Sequence, residues 1–145
     1  MAGRPSCREH KLVADVAVLS RGRVLLVRYE DVSGYDGQRG WFLPDDYLKP
    51  GEHPDDAAGR ILEEQVGRVR EAPKLGFIES FGGDGDPWHL IFHYLVRPRR
   101  ALVPRPNGNV AAAEWFSLRR LPPRDELAHH GWAADALARL LRRSR

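Results

Sequence analysis

The segment Leu43–Gly67, LPDDYLKPGEHPDDAAGRILEEQVG, decides the fold of this chain. Pro54 suits the first turn of a helix, where its missing N–H is not needed, and Gly67 suits the residue that follows a helix C-terminus. Two acidic residues come directly after Pro54, at the positive end of the helix dipole. The segment therefore predicts a helix over Pro54–Val66, preceded by an irregular stretch.

Five residues of this segment stand at characteristic spacings. Glu52 precedes Arg60 by eight residues, and Arg60 is followed after two, four and seven residues by Leu62, Glu64 and Gly67. This spacing resembles the Nudix box, the signature of hydrolases that cleave nucleoside diphosphates linked to another group. The family writes the box G-x5-E-x7-R-E-U-x-E-E-x-G-U, in which U is bulky and apolar. The resemblance implies an α/β fold, a Nudix-type α/β/α sandwich with a mixed β-sheet.

The chain departs from the box at four positions. Asp46 replaces the first Gly, Ile61 the Glu after the Arg, Gln65 the last Glu, and Arg68 the final apolar residue. Ile61 has no atom that binds a metal, and Gln65 offers only a neutral carbonyl oxygen. We therefore expect a hydrolase with a degenerate metal site.

Strands are predicted on both sides of the helix. Leu12–Leu19 and Val24–Tyr29 are apolar, are joined by a short turn, and indicate a hairpin. Strands, one helix, strands and a final helix in that order predict an α/β or α+β architecture. We expect residues 1–11 to be a polar tail and residues 12–145 to be a single Nudix-like domain. Further predicted elements are strands at Trp41–Leu43, Lys74–Phe81, Trp88–Val96 and Glu114–Leu118, and a helix at His130–Arg143.

Composition favours one globular domain. The chain has 145 residues, of which 42% are hydrophobic, and it has no apolar run of the length that a membrane helix needs. The polar N-terminus lacks the apolar core of a secretory signal. Cys7 is the only cysteine, which excludes an intrachain disulfide and a thiolate metal cluster. These features predict a cytoplasmic protein that does not enter membranes.

Positive charge is concentrated near the C-terminus. The net charge is only +3, yet eleven Arg lie from Arg97 onward. Such a surface could attract phosphates, nucleic acid or an assembly partner. A solvated basic surface is the simpler interpretation, because no nucleic-acid-binding motif accompanies the charge. We therefore do not expect a nucleic-acid partner.

The resemblance assigns catalytic roles within the box. Pyrophosphate hydrolysis needs charge neutralised on two phosphates and a water aimed at phosphorus, and a hard divalent ion with oxygen ligands supplies both. By resemblance, Glu64 binds Mg²⁺ or Mn²⁺, Arg60 orients Glu64 by ion pairing, and Glu52 assists catalysis. Each of these residues could instead be structural, since an Arg60–Glu64 pair stabilises any helix slightly.

Other acids could replace the missing ligands. Glu63 is adjacent to Glu64 but points about 100° away from it on a helix. Asp45 and Asp46 stand at the strand end, where they could project toward the same place. Outside the box, the further acidic possibilities are Glu79, Asp84 and Asp86. For each acid singly, a solvated loop or edge position is the simpler interpretation.

Aromatic residues supply the substrate-binding prediction. Trp41, Tyr47 and Trp88 could stack on a base, although aromatic residues in strands more often belong to the core. His89 and His93 are predicted on one face of a strand. Zinc is conceivable there, but two histidines without a third ligand more often form hydrogen bonds with their neighbours.

Two functional hypotheses follow. The first is a hydrolase that acts on a small-molecule nucleoside diphosphate derivative, and the second is a catalytically impaired Nudix-fold module that binds nucleotides or regulates. Ile61 and Gln65 motivate the second hypothesis. Substrate specificity is expected in the loops Asp31–Gly40 and Pro98–Asn109. A homodimer is the general expectation for a small enzyme.

Overall fold

The computed structural model describes residues 10–143, so most of the predicted N-terminal tail, including Cys7, lies outside the described residues. Within these residues there are two α-helices and six β-strands, with two short 3₁₀ turns at Ser33–Tyr35 and Arg124–Glu126. In chain order the elements are β1 (His10–Ser20), β2 (Arg23–Tyr29), β3 (Asp45–Tyr47), α1 (Pro54–Gln65), β4 (Lys74–Phe81), β5 (Trp88–Val96), β6 (Val110–Ser117) and α2 (Ala128–Arg143).

The strands form one mixed sheet in the order β4-β5-β1-β2-β6. β5 pairs in parallel with residues 10–18 of β1, whereas the other pairs are antiparallel. β1 pairs with β2 at only two of its residues, Leu19 and Ser20, next to the turn that joins the two strands. β3 pairs with β1 at Val13–Asp15, which brings the segment before the helix against the middle of the sheet.

Each face of the sheet packs against one helix. On β1, Ala14, Val16 and Val18 face the core that contains α1, and Ala17 and Leu19 face the core that contains α2. This alternation follows the two-residue period of a strand. The predicted α/β/α sandwich with a mixed sheet is confirmed. Neither helix described in residues 10–143 is long and apolar enough to cross a membrane.

The third strand differs from the prediction. Trp41 and Phe42 form only isolated bridges, and the strand is Asp45–Tyr47, which was expected to be irregular. The sequence of β3 is polar and shows no alternation of apolar residues. Pairing with β1, rather than a local pattern, therefore makes this segment a strand. The N–H of Val16 donates to the Pro44 carbonyl at one end, and that of Leu48 to the Leu12 carbonyl at the other.

The last helix starts with an unusual turn. His129, His130 and Gly131 are all left-handed, with φ of 52°, 56° and 95°, so regular helix begins at Trp132. The predicted start at His130 is therefore wrong by two residues. Left-handed backbone costs on the order of 1–3 kcal/mol per non-glycine residue and concentrates at functional sites. This turn lies beside the cavity described below.

Candidate functional site

Arg60 organises the acids of the box. Its guanidinium donates to both carboxylate oxygens of Glu52, at 2.7 and 2.9 Å, and to the Tyr47 carbonyl at 3.0 Å. Nη1 also donates to Asp46 at 3.3 Å and to Glu64 at 3.1 Å. The hydrogen bonds from Arg60 lower the pKa of Glu52 to about 2. Arg60, Glu52, Asp46 and Glu64 therefore form one structural unit, the Arg60 cluster.

Two carboxylates of this cluster remain open to solvent. The side chains of Asp46 and Glu64 are 37% and 50% exposed, and both bind the same nitrogen of Arg60. Glu52 is 14% exposed and is held at both oxygens. Asp46 and Glu64, both predicted metal ligands, are therefore the members of the cluster that solvent reaches most readily.

Ile61 and Gln65, the two departures within the helix, are buried. Ile61 is 0% exposed and packs in the α1 core. The Gln65 amide accepts from the Tyr29 hydroxyl at 2.8 Å and donates to the Asp45 carbonyl at 2.8 Å. The Tyr29 oxygen in turn accepts from the Asp45 N–H at 3.0 Å. Both ends of the Gln65 amide are thus committed to the protein.

Asp45 lies in the same buried network. It is 7% exposed, and its pKa is raised well above the usual value, first by burial and then by the nearby charge of Asp15. Asp15 is its direct partner across the β1–β3 pair. Mg²⁺ gives up its water reluctantly, so a buried carboxyl is a poorer ligand for it than an exposed one. Asp45 therefore fits a metal site less well than its neighbour Asp46.

Glu63 is exposed on α1, and no hydrogen bond or ion pair of the Arg60 cluster includes it. Within the described part of the chain, no three His, Cys, Asp or Glu side chains are arranged to hold a metal ion. The donor set thus does not form a complete protein cage for Mg²⁺. It does fit an ion held by one or two carboxylates together with substrate phosphates, the usual arrangement for Mg²⁺.

A cavity of about 370 Å³ adjoins the cluster. Asp46 and Tyr47 line it together with residues from β1, β4, β5, the 31–40 loop and the start of α2. Its volume is typical of small-molecule sites. The aromatic and imidazole rings in its wall are Tyr35, Phe42, Tyr47, Phe81, His89, His129 and Trp132.

The left-handed turn places His129 and Trp132 in this wall. Backbone hydrogen bonds from Trp41 to Glu126 and from Ala128 to Trp41 hold the preceding segment at 2.9 and 3.0 Å. Gly40 permits the approach, because a Cβ there would lie 2.6 Å from the Glu126 carbonyl oxygen. The backbone of Gly40 and Trp41, which precede β3, thus holds the segment that carries His129 and Trp132 in the cavity wall.

A buried chain of polar groups ends at the cavity. His93 Nδ1 lies 2.9 Å from Asp15 Oδ1, and Nε2 lies 2.9 Å from Glu79 Oε1. Burial opposes the charge of His93, but the two carboxylates outweigh it and raise its pKa to about 9. Trp132 Nε1 donates to the same Glu79 oxygen at 3.3 Å. His93 therefore carries a positive charge at neutral pH between Asp15, whose pKa is raised by burial, and Glu79, whose pKa is lowered by the His93 hydrogen bond.

The sequence analysis did not identify the Asp15–His93–Glu79 network as a unit. Glu79 was considered as an additional acid, and His93 was expected to form hydrogen bonds with neighbours, but Asp15 was not considered. A lone Asp within the apolar run LVADVAVL was the available signal, since a charged residue is rarely buried unless it is paired.

The aromatic predictions separate into two groups. Tyr47 lines the cavity, whereas Trp41 is buried against Phe116 and Arg28. Trp88 donates to Ser80 and packs edge-on against His10. Neither Trp41 nor Trp88 is among the described residues that line the cavity wall.

The two loops that were predicted to set specificity also differ in position. The 31–40 loop contributes Gly34, Tyr35 and Asp36 to the cavity wall, whereas none of the described residues 98–109 reaches it. Asp84 and Asp86 lie exposed in the β4–β5 turn, outside this wall.

Comparisons with known proteins agree with this geometry. The family described as the NUDIX domain matches residues 9–140. A MutT NUDIX hydrolase from Burkholderia pseudomallei is 22% identical, with a TM-score of 0.73 over 90% of this chain and 98% of its own. An ADP-ribose pyrophosphatase from Streptococcus suis is 24% identical, with a TM-score of 0.63 over 93% of this chain and 92% of its own.

A third similar structure is the NUDIX domain of Shewanella oneidensis NrtR, complexed with ADP ribose. It is 16% identical, with a TM-score of 0.70 over 92% of this chain and 90% of its own. At these identities the structures establish the fold, and the domain match over most of the chain establishes the family. The degenerate box, the sandwich and this match together make the chain a member of the Nudix family.

Proposed function

We propose that this chain is a divalent-metal-dependent Nudix-type hydrolase that cleaves a nucleoside diphosphate linked to another group. One observation carries the proposal: Asp46 and Glu64, both exposed, bind the same nitrogen of Arg60, and Asp46 also lines the adjacent aromatic cavity. The acids and the cavity thereby form one site for a ligand with a planar group and a pyrophosphate.

The protein's own residues supply position and charge. Arg60 holds Asp46 and Glu64 together, and Glu52 holds Arg60 from the other side. When bound, Mg²⁺ or Mn²⁺ would neutralise the phosphates and polarise the attacking water. Pyrophosphate beside two carboxylates would otherwise meet like charge. Asp46 and Glu64 would hold the ion, which would offset the repulsion between their carboxylates and the phosphates.

The cavity is the proposed binding site for the planar group. Aromatic walls favour stacking on a base, which contributes about 1–3 kcal/mol per base. The Shewanella NrtR domain was crystallised with ADP ribose. That complex supports a nucleoside diphosphate derivative as the class of ligand for this fold.

Product release tests the proposal. Purified protein is incubated with ADP-ribose, nucleotide sugars, dinucleoside polyphosphates and nucleoside triphosphates, with Mg²⁺ and with Mn²⁺. We expect turnover of at least one compound, and a loss of at least about 100-fold in Glu64→Gln, which removes one of two charged ligands.

Glu114→Gln is the matched control, because Glu114 is exposed on β6 and outside the cavity wall. Its activity should equal that of the wild type. Unchanged turnover in Glu64→Gln, with the control also active, would contradict the metal role of Glu64.

The second candidate is a nucleotide-binding module without catalysis. The burial of Ile61 and Gln65 favours it, because both are built into the protein interior rather than facing a ligand. It predicts that a nucleotide binds in calorimetry while no product forms. Robust turnover by the wild type would exclude this alternative.

A further inference from the structure

Glu79 has one carboxylate oxygen that accepts no hydrogen bond from the described residues. Among the described residues, both hydrogen bonds to this carboxylate end on Oε1, from His93 at 2.9 Å and from Trp132 at 3.3 Å. Its side chain is 33% exposed and lines the cavity wall. Oε2 is therefore left for a ligand, in an orientation that the protein fixes.

The chain behind Glu79 keeps it an acceptor. His93 is fully buried, and each of its ring nitrogens faces a carboxylate, so both nitrogens carry hydrogen and donate. The His93 hydrogen bond lowers the pKa of Glu79, despite partial burial. A carboxylate has no hydrogen to donate, so this position accepts N–H groups and rejects lone pairs.

Flat rings surround this acceptor. Trp132 and His129 stand at one wall, with ring centroids 6.2 Å apart, and Phe81 stacks on His89 at 4.6 Å in another. These rings favour a planar ligand, and Glu79 selects the edge that the ligand presents.

We propose that the cavity selects a guanine-type base, whose adjacent ring N–H and exocyclic amino group both donate to Oε2 of Glu79. Adenine and cytosine place an acceptor beside their amino group, and uracil flanks its single N–H with two carbonyls. Hypoxanthine keeps the ring N–H of guanine but lacks the amino group. The inference rests on the proposed function, because it names the nucleoside class that the same site takes.

Calorimetry with GDP, IDP and ADP, each with Mg²⁺, tests the inference. We expect GDP to bind at least about tenfold more tightly than IDP and ADP, because IDP lacks the second charge-assisted hydrogen bond from the amino group and ADP turns a lone pair toward the carboxylate. In Glu79→Gln, His93 and Trp132 still occupy the side-chain oxygen, so the amide NH₂ would face the ligand. GDP binding should fall at least about tenfold and the preference over IDP should vanish.

Two further variants keep the test decisive. Glu114→Gln should bind like the wild type. Trp132→Phe keeps an aromatic ring but removes the Nε1 donor, so it should weaken the GDP preference about threefold even if Glu79→Gln fails to fold. Equal binding of GDP and IDP by the wild type would overturn the inference but leave the proposed function standing. Binding of no nucleotide would overturn both.

Discussion

Repairing the box at Ile61 should unfold the protein rather than activate it. Ile61 is 0% exposed in the α1 core, so Ile61→Glu removes a fully buried apolar side chain, a loss of about 1.5–3 kcal/mol. The new carboxyl would have to be buried charged or take up a proton. Protonating an ordinary Glu at pH 7 costs about 3.7 kcal/mol. We expect a total destabilisation of about 5–7 kcal/mol, a large share of the stability of a domain this size.

Urea unfolding followed by circular dichroism measures this effect. Since the introduced carboxyl has a raised pKa in the folded state, its ionisation penalty is absent below the unfolded pKa of about 4.3 and grows as pH rises. The destabilisation should therefore shrink between pH 7 and pH 4.5. Ile61→Gln controls for shape and polarity without charge and should lack this pH dependence. An Ile61→Glu protein within about 1 kcal/mol of the wild type at pH 7 would refute the assignment of Ile61 to a closed core.

Three further predictions concern the polar networks. Gln65→Glu replaces the amide nitrogen that donates to the Asp45 carbonyl with an oxygen. Urea unfolding should therefore show a destabilisation of about 2 kcal/mol. An unchanged stability would contradict the hydrogen-bond network described for Gln65. The pKa of His93 is raised to about 9, so the stabilisation from its protonation is complete below about pH 6.5 and is lost as pH rises through about 9. The free energy of unfolding should then fall by up to about 1.4 kcal/mol per pH unit in that window, and a slope equal to that of His93→Gln would contradict it. Arg60→Lys keeps the charge but loses the planar fork, so metal-dependent turnover should drop more than about tenfold, and full activity would show that a single charge suffices.

The position of α1 was predictable, but the face that it buries was misjudged. Pro54 and Gly67 correctly delimit the helix to within one residue. Ile61 and Gln65 were assigned to the metal-binding side by resemblance. In the structure Ile61 continues an apolar stripe with Ala57 and Ala58 against the sheet, and Gln65 is buried in the hydrogen-bond network at the end of the helix. The helical spacing of those alanines was visible in the sequence and is the signal that could have placed Ile61 in the core.

The cavity depends on features that local patterns do not encode. β3 is specified by pairing with β1 rather than by its own polar residues, and the left-handed turn at 129–131 is held by contacts with Trp41 and Gln38. Asp15 and His93 are 78 residues apart in sequence and meet only because β1 and β5 are parallel neighbours. Such contacts follow from topology, which a single sequence without an alignment does not determine.

Metal binding with and without nucleotide tests the central claim most directly. Mn²⁺ binding is measured by electron paramagnetic resonance on the protein alone, with GDP, and in the Glu64→Gln variant with GDP. Since Asp46 and Glu64 form only part of a ligand set, we expect Mn²⁺ to be retained by the protein only when the nucleotide supplies its phosphates, and to be lost in Glu64→Gln. Tight Mn²⁺ binding without nucleotide, or equal retention in the variant, would contradict a site built from two carboxylates and the substrate.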